Sequence, residues 1–206
     1  TVTASGGAST NYSYQWLSGT NSINGATSSS YTPPVTSTGT SNYTCLVTIA
    51  PPTSGCSVTS TAAAITVTAG PAFTTQPQSQ TICIGGTLSA LSVAYSGGSG
   101  TPTYQWYSNT TAANTGGTAL NGETSATFNL PSGINNTAAT SYYYCVINFG
   151  SGSGCSVITS NVATIAVLAD PTFSAQPTPS QTICEGGSVS GLTATISGGS
   201  GTSSYQ

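Results

Sequence analysis

The chain has 206 residues and a formal net charge of −3, with no Lys, Arg or His and with Glu123, Asp170 and Glu185 as its three carboxylates. A chain without cations cannot neutralise phosphates, which argues against nucleic acid as a partner, and no apolar run reaches the roughly 18 to 20 residues that cross a bilayer, which argues against membrane insertion. Because catalysis needs a nucleophile with a base, paired carboxylates or a metal, we expect no enzyme and no catalytic, cofactor or metal site.

Residues 1–70 are predicted to be a partial repeat that lacks its first strands. Trp16 ends a Tyr-Gln-Trp triplet that follows a Ser-Gly-Gly turn, and Tyr43 lies two residues before Cys45. The alternating segment 64–68 that closes this part is typical of a strand with one buried face. We expect Trp16 and Tyr43 to be core residues.

Residues 71–170 are predicted to be a complete repeat, because most landmarks recur about 100 residues from their counterparts. Trp106 and Tyr143 repeat Trp16 and Tyr43 and are expected to be core residues as well. Short alternating segments between Gly, Pro, Asn and Ser indicate antiparallel strands. The predicted strands cover residues 72–76, 79–83, 87–95, 102–108, 118–121, 125–129, 141–148 and 156–168. This strand count and length predict an all-β fold of tandem immunoglobulin-like antiparallel β-sandwiches.

Residues 171–206 are predicted to be the N-terminal part of a third repeat. Cys184 repeats Cys83 at the end of an identical Gln-Thr-Ile-Cys tetrapeptide, and a Gly-Gly pair follows both. The chain stops one residue short of the place where the third Trp is expected. We therefore interpret the sequence as a window from a longer periodic molecule.

Two local patterns resemble immunoglobulin domains. Tyr143 and Cys145 are similar to the Tyr-x-Cys of strand F, and Trp106 occupies the place of the core Trp of strand C, whereas Ser92 stands where the strand-B Cys is expected. The repeated phrases Thr-Ile-Cys-x-Gly-Gly, Tyr-Gln-Trp-Tyr, Asn-Gly-x-Thr-Ser and Cys-Ser-Val-x-Thr-Ser-Asn resemble the immunoglobulin-like repeats of very large surface proteins and adhesins of Bacteroidetes-type bacteria. The resemblance covers the whole chain, and its motifs are structural rather than catalytic.

The six cysteines have no metal-ligand companions and fit disulfides made in an oxidising compartment. We therefore expect an extracellular location, at the cell surface or in a secreted filament. Cys45 and Cys56 flank one hairpin tip, and Cys145 and Cys155 flank the corresponding tip of the next repeat. A bridge within each pair is expected if the two Cα atoms come within about 7 Å of each other.

Three cysteines in a full repeat cannot all pair within it. Cys83 and its counterpart Cys184 would then be free and buried, or would bond to another repeat or another chain. A Cys83–Cys145 bridge between the sheets, which leaves Cys155 over, is the alternative.

The leading functional hypothesis is a structural segment of an extracellular stalk or filament. A nearly uncharged chain with many strand edges lacks the Lys residues that commonly protect edges, so we expect it to contact neighbouring repeats and other copies of itself. In the alternative, an adhesin module binds a surface glycan or a protein through the loops at 97–103 and 149–154. Strand donation by residues 171–206, which carry the strands that the first part lacks, is a third possibility. Glycosylation sequons occur at Asn11, Asn109 and Asn135.

Overall fold

The computed structural model describes residues 1–7, 11–49, 56–150 and 157–204. The backbone forms two units, Thr1–Ala69 and Gly70–Gln206. Apart from one turn of 3-10 helix at Ile134–Asn136, every regular element in these ranges is a β-strand. No helix in this part of the chain is long and apolar enough to cross a membrane.

The described residues of the first unit form one antiparallel sheet of five strands. Its strands are β1 (Tyr12–Ser18), β2 (Asn21–Ser22), β3 (Gly39–Ile49), β4 (Ser57–Thr59) and β5 (Ala63–Val67). The order is β2-β1-β3, with β4 and β5 both paired to β3. Alternate residues of β3 point to one face of the sheet, and there Tyr43, Cys45 and Val47 form a core cluster with Trp16.

Within the ranges that the structure describes, the second unit contains one six-stranded sheet and three two-stranded sheets. Its strands are β6 (Ala72–Thr75), β7 (Gln80–Cys83), β8 (Leu91–Ser92), β9 (Ala94–Ser96), β10 (Thr103–Asn109), β11 (Thr118–Ala119), β12 (Thr127–Phe128), β13 (Ala139–Asn148), β14 (Ile158–Thr159), β15 (Ala163–Leu168), β16 (Thr172–Ala175) and β17 (Thr195–Ser197).

Strands β6 to β15 form a two-layered sandwich. One layer has the order β11-β10-β13-β15-β7, with β14 also on β13, and the facing strands pair as β12-β8 and β6-β9. The strands that correspond to C, F and G therefore share one sheet, and those that correspond to A, B and E lie opposite, as in immunoglobulin domains. The predicted all-β fold of tandem immunoglobulin-like sandwiches is confirmed. In the third repeat, β16 pairs with β17 as β6 pairs with β9.

The core between the two layers is assembled from strands of both. Buried residues of this cluster are Leu91, Val93, Trp106, Phe128, Tyr143, Cys145, Ile147, Phe149, Ala163 and Ile165. In β15 the burial alternates strictly, because successive side chains of a strand point to opposite faces. The outer face of the sheet is covered locally, where Tyr144 stacks on Tyr107 at 5.0 Å between ring centroids.

Two predicted strands are interrupted in the structure, and those predicted at 118–121 and 125–129 are reduced to two residues each. The segment predicted at 87–95 is extended sheet only from Leu91, because the backbone over 87–90 makes a connection in which Ser89 bonds the side chain of Gln80. The segment predicted at 156–168 is divided into β14 and β15 at Ser160. There the Ser160 hydroxyl, instead of a backbone carbonyl, accepts a hydrogen bond from the N–H of Cys145 at 2.9 Å.

Candidate functional site

The first and last strands of the sandwich's larger sheet lie side by side and run in the same direction. Strands β7 and β15, here called the parallel pair, align Gln80 with Ile165 and Cys83 with Leu168. The other strand pairings of this sheet are antiparallel. The strand that enters this sheet is thereby hydrogen-bonded directly to the strand that leaves it.

Further hydrogen bonds extend the parallel pair beyond its ladder. At one end the N–H of Ile84 donates to the carbonyl of Leu168 at 3.0 Å. At the other end the N–H of Thr164 donates to the hydroxyl of Ser79 at 3.0 Å. The N–H of Asn161 donates to the side-chain oxygen of Gln76 at 2.8 Å. The connection therefore reaches along the whole approach of the chain to β7.

A glutamine at the start of β7 ties the parallel pair to the loop that follows. The Gln80 amide donates to the carbonyl of Ser89 at 2.8 Å, and its oxygen accepts the N–H of Ser89 at 2.8 Å. Gln181 makes the same two bonds to Ser190 in the third repeat. These paired hydrogen bonds between Gln and Ser were not predicted from the sequence. The signal for them is a Gln followed nine residues later by a Ser in both repeats.

Trp106 and Tyr143, the two core markers of the complete repeat, lie together in its core. The Trp106 indole is fully buried and donates to the carbonyl of Ser125 at 2.9 Å. Phe128 lies between the markers, with its ring centroid 5.5 Å from that of Trp106 and 5.3 Å from that of Tyr143. Burial raises the pKa of the Tyr143 hydroxyl.

Trp16 and Tyr43, the markers of the first unit, are arranged in the same way. The Trp16 indole donates to the carbonyl of Ser28 at 2.9 Å. Tyr31 lies between the two markers, 6.0 Å from Trp16 and 5.9 Å from Tyr43 between ring centroids. All four markers are buried and serve packing.

Ser160 is a fully buried polar residue that sequence reasoning had also missed. Its hydroxyl accepts from the N–H of Cys145 and donates to the carbonyl of Asn161 at 2.8 Å. Ser60 makes the equivalent bonds to Cys45 and Thr61 in the first unit. A Ser that recurs after the Cys-Ser-Val phrase of both repeats is the signal that could have identified it.

The strand register keeps Cys45 and Cys56 apart. The N–H of Ile49 donates to the carbonyl of Cys56, so Cys56 lies four residues along the ladder from Cys45, a distance of about 14 Å. Cys45 points into the core, Cys56 is exposed, and both thiols are free. The expected bridge between them is therefore not formed, because being at the two ends of a long hairpin connection does not make two residues cross-strand neighbours.

The alternative bridge from Cys83 to Cys145 is also excluded by the register. Cys83 is level with Leu168, next to the start of β13, whereas Cys145 lies about seven residues further along β13, or about 24 Å away. Both thiols are free, as is that of exposed Cys184. Cys155, the expected partner of Cys145, lies outside the described residues.

Burial makes the Cys145 thiol chemically inert. Removal from water raises its pKa to about 12, and burial also raises the pKa of the Cys45 thiol. The reactive form of cysteine is the thiolate, which a raised pKa suppresses at neutral pH. Cys83 is half-buried, with its sulfur 3.4 Å from the hydroxyl oxygen of Ser200 in the third repeat.

The three carboxylates serve no common site. Glu123 lies in the turn between β11 and β12, where its backbone bonds Trp106 and Leu120. Asp170 follows β15, and Glu185 lies in the turn after Cys184. Among the residues that the structure describes, no group of three His, Cys, Asp or Glu side chains could hold a metal ion.

The loop tip proposed for ligand binding has its aromatic residue turned inward. Phe149 is buried, and its ring packs edge-on against Tyr95 at 5.0 Å between centroids. Gly98 has φ +78°, and a Cβ there would lie 2.8 Å from the Phe149 ring, so only glycine allows this approach. Residues 151–154 of the second loop lie outside the described residues. Phe149 is therefore not available as an exposed aromatic anchor for a ligand.

The sequon residues Asn109 and Asn135 make side-chain hydrogen bonds within the fold. The Asn109 amide donates to the carbonyls of Ala113 at 2.8 Å and Thr115 at 3.1 Å. The Asn135 amide donates to the carbonyl of Gly86 at 2.8 Å. A glycan replaces one of the two amide hydrogens, so a glycosylated Asn109 would keep only one of its two bonds.

The complete repeat matches the model of a family of unknown function, and the chain is similar in structure to multi-domain immunoglobulin proteins. Residues 73–169 match the model of a family described as "Domain of unknown function (DUF8696)". No curated protein is significantly similar to the chain in sequence.

Three solved structures illustrate the similarity. Sidekick-1 immunoglobulin domains 1-5 are 13% identical to the chain with a TM-score of 0.36, and the match covers 82% of this chain and 37% of that chain. Titin domains I67-I69, in an E-to-A mutated variant, are 16% identical with a TM-score of 0.48, and the match covers 84% of this chain and 61% of that chain. Extracellular domains 3-5 of Drosophila OTK are 16% identical with a TM-score of 0.35, and the match covers 91% of this chain and 64% of that chain. The chain spans less than two thirds of the length of each.

Proposed function

We propose that the chain is a structural segment of an extracellular stalk or filament, which maintains distance, carries tension and associates with further copies of itself. The observation that supports this most strongly is the parallel pair. The chain approaches β7 through residues 76–79 and leaves the repeat directly after β15. Tension along the chain therefore acts on these two adjacent strands.

The direction of the two strands decides how their hydrogen bonds share the force. Since β7 and β15 run parallel, a pull on the start of one and the end of the other slides them past each other along their axes. The evenly spaced bonds of a parallel ladder are then loaded together. In contrast, two antiparallel strands pulled apart at neighbouring ends open one bond at a time. Strand β6 pairs with β9 at three positions around a bulge and would be released first.

The surface chemistry supports association rather than binding of charged ligands. With a formal charge of −3 over 206 residues, copies of the chain repel one another weakly, and no Lys is present to protect strand edges. The extracellular location is supported by the resemblance to bacterial surface repeats. The adhesin alternative has less support, because Phe149 is buried in the core instead of lying open at the tip.

A matched pair of proline substitutions tests the proposed role. Because the N–H of Ile84 bonds β15 and alternate residues of a strand point to the same side, the N–H of Ile82 also faces β15, whereas that of Thr81 faces the open edge. Ile82→Pro should lower the force that unfolds this repeat in single-molecule stretching severalfold. Thr81→Pro should leave it nearly unchanged, since proline is tolerated at the open side of an edge strand.

One further variant completes the design. Ile82→Ala separates the loss of the side chain from the loss of the hydrogen bond, and it should lower the force less than Ile82→Pro does. Equal unfolding forces for Ile82→Pro and Thr81→Pro would contradict the proposal. Specific binding of the unmodified chain to a glycan array, lost when Gly98 or Gly100 is substituted, would favour the adhesin alternative.

A further inference from the structure

The connection between the complete repeat and the third repeat is short and stiff. It runs from the end of β15 at Leu168 to the start of β16 at Thr172. Domains joined by a free linker move relative to each other as a rule. Here a proline ring fixes φ at Pro171 and restricts the preceding Asp170 to extended conformations. The angle between the two repeats therefore depends on few backbone dihedrals.

Two consecutive carbonyls of this connection are bonded to different repeats. The carbonyl of Leu168 accepts a hydrogen bond from the N–H of Ile84 in the complete repeat at 3.0 Å. The carbonyl of Ala169 accepts one from the N–H of Gly199 in the third repeat at 2.9 Å. The backbone is thus held by both repeats at the point where it passes from one to the next.

The loop that contains Gly199 is shaped to lie against the connection. Its residues 197–201, Ser-Gly-Gly-Ser-Gly, are here called the glycine loop. Gly198 has φ +81°, and a Cβ on it would lie 2.9 Å from the carbonyl oxygen of Asp170. A Cβ on Gly199 would lie 3.3 Å from the Cβ of Pro171. Glycine permits both the positive φ and the close approach of the two backbones.

A side-chain contact joins the two repeats directly. The sulfur of Cys83, the last residue of β7, lies 3.4 Å from the hydroxyl oxygen of Ser200 in the glycine loop. A thiol and a hydroxyl can each donate or accept a hydrogen bond. Because this contact lies beside the covalent connection and not on it, it opposes rotation of one repeat about the other.

The complete repeat holds its own copy of this loop against the proline that precedes its first strand. Residues 96–100 are also Ser-Gly-Gly-Ser-Gly. Gly98, the counterpart of Gly199, has φ +78° against +80°, and a Cβ on it would lie 3.3 Å from the Cβ of Pro71. The same conformation and the same approach in two repeats indicate that this packing is a property of the repeat.

We propose that the glycine loop docks the third repeat on the end of the complete repeat and fixes the angle between them. The surface that it contacts consists of the backbone at 169–171 and the side chain of Cys83. Its partner is the preceding repeat of the same chain. The inference deepens the proposed function and rests on it for its purpose, since a stalk maintains distance only where its joints resist bending.

Disulfide trapping tests the contact between the two repeats. Ser200→Cys puts a sulfur close to the place of the hydroxyl oxygen, which is 3.4 Å from the Cys83 sulfur, so mild oxidation should link the two within one chain. Ser203→Cys, an equal change at an exposed serine just beyond the glycine loop, should link far less. Mass spectrometry of the monomer identifies the linked peptides. The background for both variants has three cysteines replaced by serine: Cys56, Cys155 and Cys184.

A matched pair of alanine substitutions tests whether docking fixes the angle. Gly198→Ala and Gly186→Ala both place a Cβ on a glycine of positive φ, +81° and +80°, so the backbone strain is alike. Only the first Cβ meets the connection, since nothing lies within 4 Å of the second. Residual dipolar couplings measure whether the complete repeat and the third repeat share one alignment tensor. The unmodified chain and Gly186→Ala should keep a common tensor, and Gly198→Ala should lose it.

Three results would overturn the inference. They are separate tensors for the two repeats of the unmodified chain, equal effects of the two alanine substitutions, and equal links at positions 200 and 203. Ser200→Cys keeps the test decisive if Gly198→Ala disturbs the folding of the third repeat, because oxidation then reports the contact in a loop that retains its glycines.

Failure here is distinguishable from failure of the proposed function. A complete repeat that resists stretching while the two repeats tumble independently refutes the docking and leaves the role in tension intact. A common tensor in a chain that unfolds at low force refutes the role in tension and leaves the docking intact.

Discussion

Ser160 shows how a single hydroxyl can hold an interrupted strand in place. It is buried, and it completes the hydrogen bonding of the Cys145 N–H at the break between β14 and β15. Ser160→Ala should lower the free energy of unfolding by about 1–3 kcal/mol, because a buried N–H is left without a partner. Chemical denaturation measures the change. The control Thr159→Ala removes an exposed hydroxyl and should change stability little; equal losses for both would contradict this role.

The cysteines should differ sharply in reactivity. Cys56 and Cys184 are exposed and should be alkylated in the folded protein, whereas Cys45 and Cys145 should react only after unfolding. Mass spectrometry of modified peptides measures this order. Burial raises the pKa of Cys145 from 9.0 to about 12, so the stability that its protonated form contributes is present below pH 9 and is lost as the pH rises toward 12. Fast labelling of Cys145 at neutral pH would refute the burial argument.

At the scale of elements, the β10–β11 connection is fitted against β13 through Gly117. Its N–H donates to the Tyr144 hydroxyl at 3.1 Å. A Cβ at Gly117 would lie 2.6 Å from the carbonyl oxygen of Ser108, which the backbone cannot easily move away. Gly117→Ala should therefore cost about 1–3 kcal/mol of unfolding free energy. Gly191→Ala, where a Cβ meets open space, should be nearly neutral in the same thermal denaturation series. An unaffected Gly117→Ala variant would show that this close approach is not required.

The sequence predicted the strands well, because alternation and turn residues are local signals. It predicted the site only in part. Two-residue periodicity is the same in parallel and antiparallel strands, so the direction of β7 beside β15 could not be derived from it. The separation of Cys45 from Cys56 depends on register across a hairpin, which sequence spacing does not set when the connection is long. That the repeats divided at residues 70 and 170 fold independently of one another stays a prediction.

At the scale of the whole molecule, a formal charge of −3 over 206 residues leaves the surface nearly uncharged. Charged side chains, Lys above all, are a common means by which proteins keep strand edges from pairing, and here they are almost absent. In the proposed role, β7 and β15 resist tension along the chain, and the weak charge repulsion allows copies of the chain to associate.

The central claim, that the complete repeat resists tension through its parallel pair, is tested most directly by changing the direction of the pull. Handles at Pro71 and Asp170 slide β7 along β15, whereas handles at Thr137 and Asp170 separate β13 from β15 at neighbouring ends of antiparallel strands. We predict a severalfold higher unfolding force for the first geometry in single-molecule stretching. Equal forces in the two directions would contradict the account.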